Sequence, residues 1–595
     1  MRFTRSPRRL ALVAVAAAVT LVIPATSSAT TDTTEPATTA ATEPTTGDTT
    51  AGTTGDTTEG TTAATDAPAP ANPACAAGGE SATEDTSATE DTADTAATET
   101  TAASTVDTSA TETTAATETT ASGFRRPASV DADAAVVIGA VLEPTSLDIV
   151  TQAGAALDQV LLDNVYETLL TATDTGEIEA GLTELPDVSE DGLTYSFTVP
   201  EGVTFHNGDA LTALDIVCSL EAFRAPTGSG AEQLSAIAGV EATDDATVVV
   251  TLTQRDNDLL FRLTRREGAV LQAGASDLGS SAIGTGPFTF TEWNQGSSIT
   301  LTRFDGYHGE PAGVAEVTFQ YFTDPNAAVN ALTSGDADLL TGVNTDLVGQ
   351  FEGDDNYVVS QGTTNGEFTL GMNNSRAPFD DPAVRRAIRQ AIDKESYLAL
   401  LNGFGTVIGG PVPPTDPWFE DLTGVVPYDP EAAAAALREA GVDEGTQFTL
   451  TWPNFYPTTS AEFVASQLAE VGLEIEIETV EFSVWLEQVY GNADYDLTAV
   501  LHVEPRDIGN YANPDYYWRY DNPEVQQLVA DAKVAETPEE ATELLREAAA
   551  IISEDSPVDW LILQADIIVA TPDLAGYPTN DTASRFDASA ITVSA

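Results

Sequence analysis

The composition of the chain breaks near residue 130, and that break limits where a folded core can lie. Residues 30–129 are almost entirely Thr, Ala, Glu, Asp, Ser, Gly and Pro, in loose repeats such as "TETTAATETTA". Few of those side chains can be buried, so the segment cannot offset its own ordering entropy and is expected to be a disordered spacer. As a flexible coil of about 100 residues it spans about 60 Å r.m.s., and more where like charges repel. From Val136 the pattern turns globular and stays so. The length of that part exceeds one ordinary hydrophobic core, which predicts two or more lobes.

The amino end is of a third kind. Arg2, Arg5, Arg8 and Arg9 precede an apolar run from Leu10 to Ile23, then Pro24 and small residues. This reads as a signal peptide, residues 1–29, cleaved after Ala29. The apolar run is short for a membrane span. An exported protein, soluble after cleavage, is expected. Cys75 and Cys218 are read as unpaired, because two cysteines do not make a disulfide framework.

The formal charge of −71 argues against DNA, RNA or anionic lipid as a partner, because neutralising phosphate needs a basic surface. The spacer is not the main source: residues 130–595 hold 77 acids against 17 bases. Lysine is nearly absent, Lys394 and Lys533 being the only two, so each arginine draws notice. His206, His308 and His502 are scattered without metal-ligand spacing, and no metal site or cofactor is expected.

Strand and helix signals alternate from Val136 onward. "VVIGAVL" suits a buried strand, and a helix is expected through Leu157, Val160, Leu161, Val165 and Leu169. "LTYSFTV" alternates as a strand should. Further strands are expected near Phe288–Trp293, Ile299–Arg303 and Val317–Tyr321, before a helix starting near Asn326. Thr212, with Asp215 in the first turn, opens another helix. Asp381-Pro382, Asp429-Pro430 and Asn522-Pro523 each put a capping side chain before a proline at the first helical position. Thr537 and Glu540 form a capping box. "LEIEIETV", Leu473 to Val480, reads as a strand with one wet face. The class is α/β. In "RRAIRQAID" the arginines Arg385, Arg386 and Arg389 are expected on a solvated face, the alternative being a docking patch.

Taken in order, several blocks resemble the family 5 extracellular solute-binding proteins of ABC importers, which include dipeptide, oligopeptide and nickel binders. They are "EPTSLDI" (143–149), "VYETLL" (165–170), "GLTYSFTVPEGVTFHNGDALTALDIVCSLEAF" (192–223) and "GTGPFTFTEW" (284–293). "AVNALTSGDADLL" (328–340), "GMNNSRAPFDDPAVRRAIRQAID" (371–393), "GPVPP" (410–414) and "YDPEAAAAALREAG" (428–441) follow. The resemblance implies a two-lobed periplasmic-binding-protein-like fold with hinge strands, occupying residues 134–595 behind a linker at 30–133. Lobe I is expected at about 134–360 and 560–595 and lobe II at about 361–559, with crossings near Glu367–Met372 and Asp559–Leu563. It also implies a monomer that hands a small solute or peptide to the permease subunits of an ABC importer.

Peptide-binding members of the family use an aspartate after a lobe II strand to meet the peptide's α-ammonium. In the loop "HVEPRDIGNY" (502–511) that role falls to Asp507, with Glu504 second. A desolvated ammonium needs an ionised acceptor, since a buried unpaired charge costs several kcal/mol. Arg506 either forks onto a solute carboxylate or is locked within its own loop. Trp452 and Tyr511 are expected as aromatic walls, and Glu143 as a lobe I contributor. The loop departs from the family pattern in opening with a histidine.

No P-loop, G-x-S-x-G elbow, H-E-x-x-H or supported Cys–His arrangement occurs, so no catalytic residue is assigned. A surface adhesive or sensory protein reusing the same fold is the alternative reading, prompted by the threonine-rich spacer.

Overall fold

The computed structural model describes Cys75 and residues 130–594. The expected signal peptide and nearly all of the expected linker lie outside the described residues. The folded body begins at Val130, which bridges Ser594 near the carboxyl end, four residues earlier than the boundary at 134.

Two mixed sheets organise the chain. The first has seven strands, in the order Val358–Gly362, Asp566–Ala570, Leu339–Leu340, Ala135–Ala140, Glu316–Tyr321, Ser298–Arg303 and Phe288–Asn294. Ala135–Ala140 runs parallel to both its neighbours at the centre. The second has five strands, ordered Leu473–Val480, Thr446–Pro453, Leu497–His502, Glu367–Met372 and Val558–Leu563. A smaller four-stranded sheet, within residues 187–252, packs its helix Ala213–Arg224 into the core of the first lobe.

The chain passes between the two large sheets twice. It leaves the first after Gly362 and enters the second at Glu367, then leaves the second after Leu563 and re-enters the first at Asp566. The strands expected as crossings, Glu367–Met372 and Asp559–Leu563, therefore lie wholly in the second sheet. They run side by side, and the linking pieces are residues 363–366 and 564–565.

Helix starts follow their capping chemistry. Asp381, Asp429 and Asn522 accept from the backbone N–H of Ala383, Ala432 and Glu524 at 2.8, 2.9 and 2.9 Å. Thr537 accepts from Glu540 N–H at 3.2 Å. One helix is shorter than its apolar spacing predicts. It covers only Ala155–Leu161, because Asp163 turns to φ 63 and pairs with Arg585 instead of extending the coil.

Two expectations are overturned. Cys75 is bonded to Cys218, with Cα atoms 5.4 Å apart, so neither is unpaired and that sulfur cannot also carry a lipid. The partners are 143 residues apart, and nothing in sequence spacing brings them together. Of the arginines after Asp381, Arg385 and Arg389 are also not on a solvated face but buried, while Arg386 is exposed as expected. Arg385 donates to Asp555 O at 3.0 Å, Arg386 to Glu554 O at 3.3 Å and Arg389 to Ser553 O at 2.7 Å. Together they cap the carbonyl end of helix Pro538–Asp555, where cations complement the helix dipole.

Candidate functional site

The strand Leu497–His502 ends beside Glu367, the first residue of its antiparallel neighbour. Past it the backbone turns sharply: Arg506 sits at φ 57, ψ 36 before a short helix over Asp507–Ala512. A non-glycine residue in the left-handed region costs about 1–3 kcal/mol and persists only where surrounding contacts hold it. Here they do. The Arg506 guanidinium lies 3.6 Å from the ring centre of Phe261 and 4.8 Å from that of Trp418. Its Nη2 donates to Gly176 O at 3.3 Å, and its Nη1 is 3.7 Å from Asp258. Gly176, Asp258 and Phe261 precede the first crossing and Arg506 follows it, so one side chain spans the gap between lobes.

Arg506 is therefore not locked to Glu504 or Asp507, and its Nε is buried with no hydrogen-bond partner among the described residues. Asp416 and Asp258 are the negative charges that favour its charged form against burial. Asp416 in turn is pushed up to about 7 by burial, with Arg506 acting against the shift.

Two further carboxylates lack such a counter-charge. The Asp507 side chain is 5% exposed, and its Oδ2 has no hydrogen-bond partner among the described residues. Burial raises its pKa far above the usual carboxylate range, and Glu504 and Asp416 add to the rise. Glu367 is 2% exposed and neither of its oxygens has a hydrogen-bond partner among the described residues. Burial raises it likewise, with Asp507 and Asp416 as the neighbouring negative charges. The nearby indole of Trp560 gives its N–H to Tyr511 Oη at 3.0 Å. Glu504 is raised by burial, offset in part by Arg265. His502 supplies no charge here: burial pushes it down to about 4, and its Nε2 lies 2.9 Å from Tyr517 Oη.

Of the residues singled out from sequence, the structure brings together Glu504, Arg506, Asp507 and Tyr511. Tyr511 is fully buried, stacked on Trp518 at 4.4 Å, and supports the cluster from beneath. Trp452 is not at the cluster. It is fully buried in the core of the second lobe, edge-on to Phe368, with its Nε1 donating to Tyr456 O at 3.3 Å. Glu143 is also elsewhere, accepting from Trp293 Nε1 at 2.8 Å and from Gly296 N–H, which fixes a hairpin turn of the first sheet.

Sequence reasoning missed Glu367 and Asp416. The signal for Glu367 was available: an acid opening the otherwise apolar strand "EFTLGM", every residue of which is buried. Asp416 follows Thr415, whose hydroxyl donates to Asn365 in the first crossing at 2.7 Å, a pairing no local pattern announces.

Comparison with known proteins supplies the context. A sequence model of the bacterial extracellular solute-binding proteins, family 5 middle region, matches residues 177–518. The glutathione-binding protein GsiB of Salmonella typhi is 26% identical over 504 residues, covering 78% of this chain and 95% of its own. Among solved structures, the periplasmic binding protein DppA of Helicobacter pylori, in complex with the peptide STSA, superposes with a TM-score of 0.65. That match has 23% identity and covers 78% of this chain and 98% of DppA. The substrate-binding protein CtaP of Listeria monocytogenes superposes at 0.71, with 19% identity over 78% of this chain and all of its own. The last two likenesses concern the fold.

Proposed function

The chain belongs to the bacterial extracellular solute-binding proteins of family 5, and we propose on that footing that it captures a small peptide between its lobes. It then delivers the solute, chemically unchanged, to the permease subunits of an ABC importer. The observation that carries this is the reach of Arg506 across the gap to Phe261 and Gly176, beside buried carboxylates that have no partner of their own. A closed cleft whose acids lack counter-charges is shaped for a guest that brings one.

In this reading Asp507 meets the peptide's α-ammonium, Glu504 stands behind it, and Arg506 is a latch between lobes. Hinge pieces of four and two residues let the sheets move as bodies while the latch selects the closed state. The peptide class draws support from the relatives, one named for glutathione and one holding a peptide. Export draws support from the amino-terminal pattern and from the Cys75–Cys218 disulfide, which forms in oxidising compartments. No helix among the described residues is long and apolar enough to cross a membrane.

Two measurements test the reading together. Native mass spectrometry of freshly purified protein is expected to show a retained small molecule. Small-angle scattering is expected to show expansion when that molecule is stripped and compaction when it is returned. Identical scattering curves in both states sink the proposal and favour an adhesive role.

A further inference from the structure

Among the described residues of the cluster, two acids are left without a cation, and of the arginine donors the Arg506 Nε is left without a hydrogen-bond partner. Arg262 holds Asp256 at 2.6 Å and Asp258 at 3.6 Å. Arg506 serves Asp258 and Asp416, and Arg265 is the cation that offsets Glu504. That accounts for every arginine acting on these acids. Glu367 and Asp507 are left over, their side chains more than nine-tenths buried, with three carboxylate oxygens between them that have no hydrogen-bond partner among the described residues. His502 Nδ1, the nearest basic atom, is 3.9 Å from Asp507, beyond hydrogen-bond range.

A folded chain rarely tolerates two such acids without purpose, because each costs several kcal/mol when ionised. One positive charge answers only one of them. Nor are the acids gathered around a point: among the described residues no three His, Cys, Asp or Glu side chains are placed to hold a metal ion. Asp507 is the foremost charge acting on Glu367, so the two ionised together put two negative charges near each other, which two ammonium groups neutralise.

Resting on the capture reading above, we infer that the solute carries two positively charged nitrogens, one received by Asp507 and the other by Glu367. A peptide with a free amino end and a lysine-like side chain has this form, and so does a simple diamine. Arg506 is engaged by Asp416, Asp258 and two aromatic rings, and only its Nε is left without a hydrogen-bond partner among the described residues. The specificity of the cleft is thus set by Glu367, the first residue of the strand that follows the first crossing, as much as by the loop after His502.

The test is isothermal titration of the full exported chain, stripped of bound solute, with three probes. Lysyl-alanine carries two ammonium groups, norleucyl-alanine is its match with one, and 1,5-diaminopentane carries two and no carboxylate. Lysyl-alanine is expected to bind at least tenfold more tightly than norleucyl-alanine, and the diamine to bind measurably. Glu367→Gln is expected to bring the ratio of the two dipeptides close to one. Equal affinities in the unaltered protein, or a preference for norleucyl-alanine, overturn the inference while capture between lobes stands. Failure of all three probes to bind overturns it too. The capture reading is judged separately, by whether scattering changes when the co-purified solute is removed.

Discussion

Two buried acids on adjacent strands of the second sheet meet opposite treatment. Asp559 lies opposite Leu370 on the strand Val558–Leu563, and Glu367 lies opposite Leu563 on its neighbour. Asp559 is fully buried with Lys394 Nζ 2.7 Å away and Arg389 Nε 3.4 Å away, held by charge more than by aligned hydrogen bonds. Arg389 is itself fixed by Ser553 O and by the face of Trp560, 5.0 Å below. Glu367, a few residues along the same ladder, has no cation paired with it among the described residues. The first site is architecture, a charge the chain neutralises itself. The second is unfinished, and its completion lies outside the chain.

Substitution breaks this contrast most directly. Asp559→Asn leaves Lys394 and Arg389 buried without their counter-charge, and is expected to cost about 3–5 kcal/mol in urea unfolding. Glu367→Gln removes an acid that nothing compensates, so the midpoint of the solute-free protein is expected to stay or rise. A large loss of stability in Glu367→Gln would mean that the fold does depend on that carboxylate. The two sites would then be of one kind.

Titration sharpens the same contrast, because the clusters slope in opposite directions. A carboxyl whose folded pKa is raised stabilises the native state below its unfolded value and loses that contribution as pH rises through the folded one. Asp416, pushed up to about 7 by burial and faced by Arg506 and Asp258, should therefore stabilise the solute-free protein less between about pH 4 and 7 as pH climbs. Glu367 and Asp507, raised by burial and facing Glu504, Asp416, Tyr511 and Tyr516, add to the fall. Lys394 behaves inversely. Burial lowers it to about 8 in spite of Asp559, so its contribution returns as pH rises from about 8 toward 10.5. Thermal melts across pH are expected to show both limbs, with Asp507→Asn flattening the first and Lys394→Met the second.

The legible part of the molecule is what local chemistry decides. Asp381, Asp429, Asn522 and Thr537 cap the helices their sequences announce, and "LEIEIETV" is a strand whose acids face water. What stayed hidden depends on pairing across distance. Arg385 and Arg389 look solvated on a helical wheel, yet the carbonyl end of a helix some 170 residues on takes them in. Trp452 has the composition of a ligand wall and the position of a core residue, a choice made by Phe368 and Tyr456. Cys75 meets Cys218 across 143 residues of sequence. At the site, the loop after His502 was readable because its charges are contiguous. Glu367 left a local trace, an acid opening a buried strand, but that it and Asp416 meet that loop shows only when three separate segments converge.

Arg506 gives the smallest effect and the finest distinction. Its guanidinium stacks on Phe261 of the first lobe and Trp418 of the second, contacts worth roughly 1–2 kcal/mol when desolvated. Arg506→Lys keeps the charge near Asp258 and Asp416 but loses the planar stack, since an ammonium is compact and strongly hydrated. The unfolding midpoint of the variant is expected to move little, because neither lobe's core includes this side chain. The balance between open and closed forms should shift instead. A loss of about 1 kcal/mol lowers the closed-to-open ratio about fivefold, which scattering without solute reads as a larger radius of gyration. Solute affinity falls by the same factor if only closure has changed, and by much more if the guanidinium touches the guest. The size of that ratio therefore separates a latch from a binding residue, the distinction that Glu367 and Asp559 draw at larger scale.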